Sequence, residues 1–144
     1  MKIYLDICCF NRPFDDQSQL RIKLESEAKL AIQEDIRFGK YSLIWSYMLD
    51  YENQKCPLPE RRDQISKWRT YAMEDIEEDD ALIYSANFIG QTGIKKMDSL
   101  HIASAIKGNA DYFLTTDDLI LKRASLIATI KITNPIGFIK EVCL

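Results

Sequence analysis

The chain has 144 residues, 47% of them hydrophobic, enough for a single domain (1–144) with a continuous core that buries roughly 70% of the unfolded surface. No apolar run approaches the ~20 residues of a bilayer-spanning helix, and the N-terminus lacks the basic-then-apolar pattern of a secretion signal, so the expected location is cytoplasmic with no membrane partner. A net charge of −3 argues against holding nucleic acid by bulk electrostatics alone, yet with four of the 22 acidic groups gathered around a cation the other 18 would face 19 basic ones, so a nuclease stays open.

In chain order, Lys2 to Leu5 reads as a short strand and ends on Asp6. Asn11, Arg12, Pro13 and the Asp15-Asp16 pair break regularity. From Gln19 to Phe38 the positions Leu20, Leu24, Ala28, Ala31, Ile32 and Ile36 step by threes and fours, which predicts an amphipathic helix closed by Gly39. SLIW, Ser42 to Trp45, is a short apolar run suited to a parallel strand buried on both faces. Ser46 can cap the next helix, which carries Glu52 and ends at the CPLP segment, Cys56 to Pro59.

Arg61 to Glu74 and Asp80 to Ile89 follow as charged helices, the first with Ile65, Trp68 and Ala72 inward, the second with Leu82, Ala86 and Ile89. Between them, Asp75 to Asp79 is unassigned and admits a one- or two-residue strand at Ile76. Asp98 to Lys107 is helical by pattern, Tyr112 to Leu114 a strand, Asp117 to Ala124 a helix, Ile130 to Ile132 a last strand, and Pro135 opens a terminal helix through Ile139. Strands separated by helices argue for a mostly parallel sheet covered on both faces. Cys8, Cys9, Cys56 and Cys143 show no CxxC spacing and, with one histidine in the chain, make a poor zinc set. They are expected to be buried free thiols.

In a parallel sheet every strand points one way and each crossover helix returns the chain, so strand ends and helix starts share one rim. That rule brings together Asp6 after the first strand, Glu52 early in the helix after the second, Asp98 in a first helical turn, and Asp117 just past Tyr112–Leu114. Crowded carboxylates oppose one another's ionisation, and a divalent cation removes the penalty. All-oxygen donors suit Mg²⁺ or Mn²⁺, and the chemistry such an ion supplies is phosphodiester hydrolysis. Taken singly, Asp98 could complement a helix dipole, Asp117 could be an N-cap and Glu52 a solvated helix residue. His101, three residues after Asp98 in LHIASAI, reads as a packed, hydrogen-bonded side chain and not as a general base. Ser46, Thr115 and Thr116 carry hydroxyls able to orient a carboxylate or a water. Arg12, with Lys95 and Lys96, is the candidate substrate contact.

These residues resemble the PIN-domain ribonucleases: YLD (Asp6), SYMLDYE (Glu52), DSLHIASAI (Asp98), then ADYFLTTDD (Asp117). YLDICCFNRPFDD also looks like a subgroup with a cysteine and an NRPFDD loop after its first aspartate. The resemblance spans nearly the whole chain. It implies a three-layer α/β/α sandwich with a sheet ordered 3-2-1-4-5 and an acidic Mg²⁺ or Mn²⁺ site that cuts RNA. It assigns metal binding to Asp6, Asp98 and Asp117, with Glu52 a further ligand or the group that orients the attacking water. Asp118 beside Asp117 leaves the fourth ligand open. Small members of this length look like VapC-type toxins, usually homodimeric and inhibited by a cognate antitoxin protein. The alternative is a PIN-like module that binds RNA or protein without catalysis. Phosphatase readings fit less well. A haloacid-dehalogenase type needs an acid where Cys8 stands, and neither Cys8 nor Cys9 has an arginine six residues on.

Overall fold

A computed structural model describes residues 1–143. Five strands form one sheet in the order β3-β2-β1-β4-β5, every pairing parallel: β1 (Lys2–Leu5), β2 (Ser42–Ser46), β3 (Ala72–Ile76), β4 (Tyr112–Leu114) and β5 (Lys131–Thr133). Central β1 is bare of solvent at Ile3, Tyr4 and Leu5, as expected where helices cover both faces.

The two helical layers can be read from which aromatic each covers. Tyr4 stacks on Phe113 and meets His101 of α6 (Lys96–Lys107) edge-on, so α6, with α5 (Asp80–Gly90) packed on it, covers that face. Tyr112, which neighbours Phe113 and so points the opposite way, lies edge-on to Phe138 of α8 (Pro135–Cys143). Helix α2 (Leu20–Arg37) packs beside α8 on this second face. The architecture is the expected α/β/α sandwich.

Several local expectations change. The stretch Arg61–Glu74 is not one helix: α4 (Pro59–Ser66) gives way to a 3-10 turn (Lys67–Tyr71) and then to strand β3. As an edge strand, β3 exposes Met73, Glu74 and Asp75, so its sequence lacks the apolar run that marks the inner strands. In α2 the inward stripe is rotated from the one the apolar spacing suggests. Leu20 and Leu24 are exposed, whereas Glu25, Lys29 and Gln33 are buried with Ile32 and Ile36. Glu25 is held there by Arg12 and Arg21. The segment after Asp6 folds into a short helix α1 (Ile7–Asn11) and a 3-10 turn (Arg12–Phe14), with Asp6 capping α1 through Ile7 N–H. Of the four free cysteines only Cys9 is fully buried, while Cys143 is exposed.

Candidate active site

The rim at the carboxyl ends of β1 and β4 carries the acids. Asp6 follows β1 directly and extends its pairing by donating its N–H to Leu114 O at 2.9 Å. One residue past β4, Thr115 donates its hydroxyl to Asp6 Oδ2 at 2.8 Å and accepts the N–H of Asp117 at 3.1 Å. A single buried threonine therefore sets the spacing of two aspartates that lie far apart in the chain. Asp117 is at the same time the N-cap of α7 (Asp118–Arg123), its Oδ1 accepting from Leu119 and Ile120 N–H.

Glu52 stands in the second turn of α3 (Tyr47–Gln54), which Ser46 caps. Its Oε1 meets His101 Nε2 at 2.6 Å, and the same nitrogen lies 4.0 Å from Asp6 Oδ1. His101 shares α6 with Asp98, three residues before it, so both groups face one region. His101 is fully buried, and its Nδ1 meets the Tyr4 hydroxyl at 2.6 Å, which in turn meets Ser46 Oγ at 2.6 Å.

The electrostatics follow from this crowding. Burial raises the Asp98 carboxyl, and the charges of Asp6 and Asp117 raise it further, to about 6 despite the offset from His101. Burial alone would lower His101, but the Glu52 hydrogen bond and the charges of Asp6, Glu52 and Asp98 outweigh it and raise its pKa. Asp98 thus senses the charges of Asp6, Asp117 and Glu52 across a partly dry site.

Whether the site suits a divalent cation turns on which oxygens are already engaged. Asp6 uses Oδ1 on Ile7 N–H and Oδ2 on Thr115. Asp117 uses Oδ1, and Glu52 uses Oε1. Oδ2 of Asp117 and Oε2 of Glu52 remain, together with the Asp98 carboxyl. Among the described residues no three His, Cys, Asp or Glu side chains are close enough to form a ready-made metal cage. The uncommitted donors are carboxylate oxygens, which suit Mg²⁺ or Mn²⁺ with waters completing the shell better than a zinc cage of nitrogen and sulfur ligands.

The remaining candidates fall into place as follows. Ser46 and Thr115 are fully buried and hydrogen-bonded at the site, Ser46 through Tyr4 and Thr115 to Asp6. Asp118 turns away to Arg21, whose guanidinium holds its carboxyl below the usual range. Arg12 pairs with Asp15 and Glu25, so its charge ties the loop after Asp6 to α2. Lys95 and Lys96 are exposed before Asp98. Cys8 Sγ stands 3.4 Å from both Asp6 Oδ2 and Thr115 Oγ1.

Two participants escaped the sequence reading, Tyr4 and the pairing of His101 with Glu52. A signal existed for the first, since a tyrosine in a strand covered on both faces must find a partner for its hydroxyl.

No family model and no curated protein matches the chain. Among solved structures it is similar to FitAcB from Neisseria gonorrhoeae, with TM-score 0.58 and 14% identity over 92% of this chain and 97% of that one. It is also similar to VapBC2 from Rickettsia felis bound to a DNA fragment from their promoter, with TM-score 0.57 and 15% identity over 93% and 98% of the two chains. The fold is PIN-like, a five-stranded parallel sheet ordered 3-2-1-4-5 between helical layers.

Proposed function

We propose that the chain is a Mg²⁺- or Mn²⁺-dependent endoribonuclease that hydrolyses RNA phosphodiester bonds, and that it is the toxin of a type II toxin-antitoxin pair. The observation that carries this reading is that Thr115 bonds Asp6 and Asp117, His101 bonds Glu52 and lies near Asp6, and Asp98 senses the charges of the other three acids, so carboxylates from four separate segments share one rim. The likeness to FitAcB and VapBC2 supports the toxin role and a cognate antitoxin as partner. A homodimer in the cytoplasm is the expected working form.

A bound divalent cation supplies Lewis acidity toward a phosphate oxygen and lowers the pKa of a water. The protein's own part is positional. Asp6 is fixed by Thr115 and by the first turn of α1, and Asp117 by the first turn of α7. Asp98 and Asp117 would offer oxygens to a cation, and Asp6, whose carboxylate oxygens each keep a further lone pair, would be the third ligand. Glu52, tethered through Oε1, has Oε2 left to orient the attacking water.

Incubating total RNA with purified protein, with and without Mn²⁺, and mapping the cut ends tests the activity. Asp6→Asn or Asp117→Asn is expected to abolish cleavage while thermal unfolding stays cooperative; unchanged turnover in either variant contradicts the reading. Co-expression with the protein encoded next door is expected to relieve growth arrest. The second reading, a PIN-like module that binds RNA or protein without catalysis, draws on the absence of a ready-made metal cage among the described residues. It predicts no response to Mn²⁺ at all.

A further inference from the structure

We propose that His101 is a positioning residue: a buried chain of donors, Ser46 to Tyr4 to His101, directs its Nε2–H at Oε1 of Glu52 and leaves Oε2 as the one uncommitted oxygen that Glu52 brings to the acidic site. The inference deepens the nuclease reading and rests on it for its functional consequence.

Hydrogen-bond polarity carries the argument. Ser46 Oγ accepts the Leu49 N–H as the cap of α3, so its own proton needs an acceptor, and the Tyr4 oxygen is 2.6 Å away. Tyr4 is fully buried, and its hydroxyl is a donor as well as an acceptor. Its proton then goes to Nδ1 of His101, also at 2.6 Å. A ring that accepts at Nδ1 carries its proton on Nε2, the nitrogen 2.6 Å from Glu52. The opposite tautomer would set a bare nitrogen lone pair against a carboxylate oxygen at that distance, a repulsive contact. Protonation of the ring reverses both inner steps, Nδ1–H then donating to the Tyr4 oxygen and Tyr4 to Ser46, and keeps the Nε2–H bond to Glu52.

The device is rigid at its base and adjustable at its tip. Tyr4 cannot turn, because it is stacked on Phe113 with ring centroids 5.4 Å apart in the fully buried centre of the sheet. Glu52 is a long side chain at a partly exposed position, and without a tether its rotamer freedom would be lost only on binding. Fixing one oxygen beforehand is the preorganisation that a ligand or water-orienting group requires. The bond also joins α3 to α6, which pack together, so a purely structural role is the competing explanation.

The chain contains one histidine, so the ¹⁵N NMR spectrum of the imidazole in the metal-free protein is free of overlap. The expected neutral form has Nε2 protonated and Nδ1 bare; a ring protonated at Nδ1 alone overturns the proposal. His101→Gln restores an amide N–H near the Nε2 position and is expected to keep Mn²⁺ affinity, read by calorimetry, and kcat close to wild type. His101→Leu is expected to weaken Mn²⁺ binding or kcat by about 10- to 100-fold, with KM for RNA unchanged. Equal losses in the two variants, or a change confined to thermal unfolding, would leave His101 a structural residue. Absence of RNA cleavage by the wild type would instead remove the nuclease reading, with the NMR and Mn²⁺-binding results still deciding the role of His101.

Discussion

Lys29 is the residue whose energetics are plainest. It is buried on α2 with its Nζ 5.3 Å from the centre of the Phe10 ring, and burial lowers its pKa from 10.5 to about 8. A depressed lysine is a destabilising element. Its cost is fully present below pH 8, where both folded and unfolded forms are charged, and declines as pH rises toward 10.5 because the folded chain gives up its proton first. At 1.36 kcal/mol per pH unit the cost is about 3 kcal/mol. Lys29→Met is therefore expected to raise unfolding free energy at pH 7 by about 2 to 3 kcal/mol, an advantage that shrinks above pH 8; denaturant titrations at pH 7 and pH 10 check it. Asp98 carries a cost of the same origin. Because the group is half-buried and solvent screens it, Asp98→Asn is expected to stabilise the metal-free protein at pH 7 by only about 1 to 2 kcal/mol. A melting temperature unchanged or lowered by that substitution would contradict the crowding of acids at the rim.

At the scale of elements, the close approach of α6 to the sheet places Asp98 and His101. Gly108 ends α6, and a Cβ there would stand 2.7 Å from Ile44 Cγ2 on β2 and 3.3 Å from Ile76 Cδ1 on β3. Ile44 is fully buried and has no room to yield. Gly108→Ala is expected to destabilise by roughly 1 to 3 kcal/mol through overpacking, seen as a lower denaturation midpoint with an unchanged slope. The elements also differ in how far their sequences announced them. Inner strands β1, β2 and β4 are short apolar runs, and their limits were legible because burial on both faces demands that composition. Strand β3 was not, since AMEDI exposes its middle and owes its conformation to pairing with β2, shifted in register between Leu43 and Ile44. The buried face of α2 was misjudged for a related reason. Spacing of apolar residues cannot anticipate that Arg12 and Arg21 make Glu25 an interior residue.

For the whole molecule, the four acids belong to segments that meet only in the folded state, so a cation bound among them is linked to folding. At a Mn²⁺ concentration 100 times its Kd the unfolding free energy is expected to rise by about 2.7 kcal/mol, to be reversed by a chelator and to be much reduced in Asp98→Asn. No Mn²⁺-dependent shift in thermal unfolding would count against a metal site. The alternation of strand and helix was enough by itself to predict a parallel sheet, and the rule that strand ends and helix starts share an edge was enough to propose one rim for Asp6, Glu52, Asp98 and Asp117. Local caps engage Oδ1 of Asp6 and of Asp117, but only tertiary packing decided the rest: Thr115 holds Oδ2 of Asp6, His101 holds Glu52, and Arg21 draws Asp118 away. The Thr115–Asp6, His101–Glu52 and Arg21–Asp118 pairings join residues 109, 49 and 97 positions apart, and no local pattern of residues encodes them.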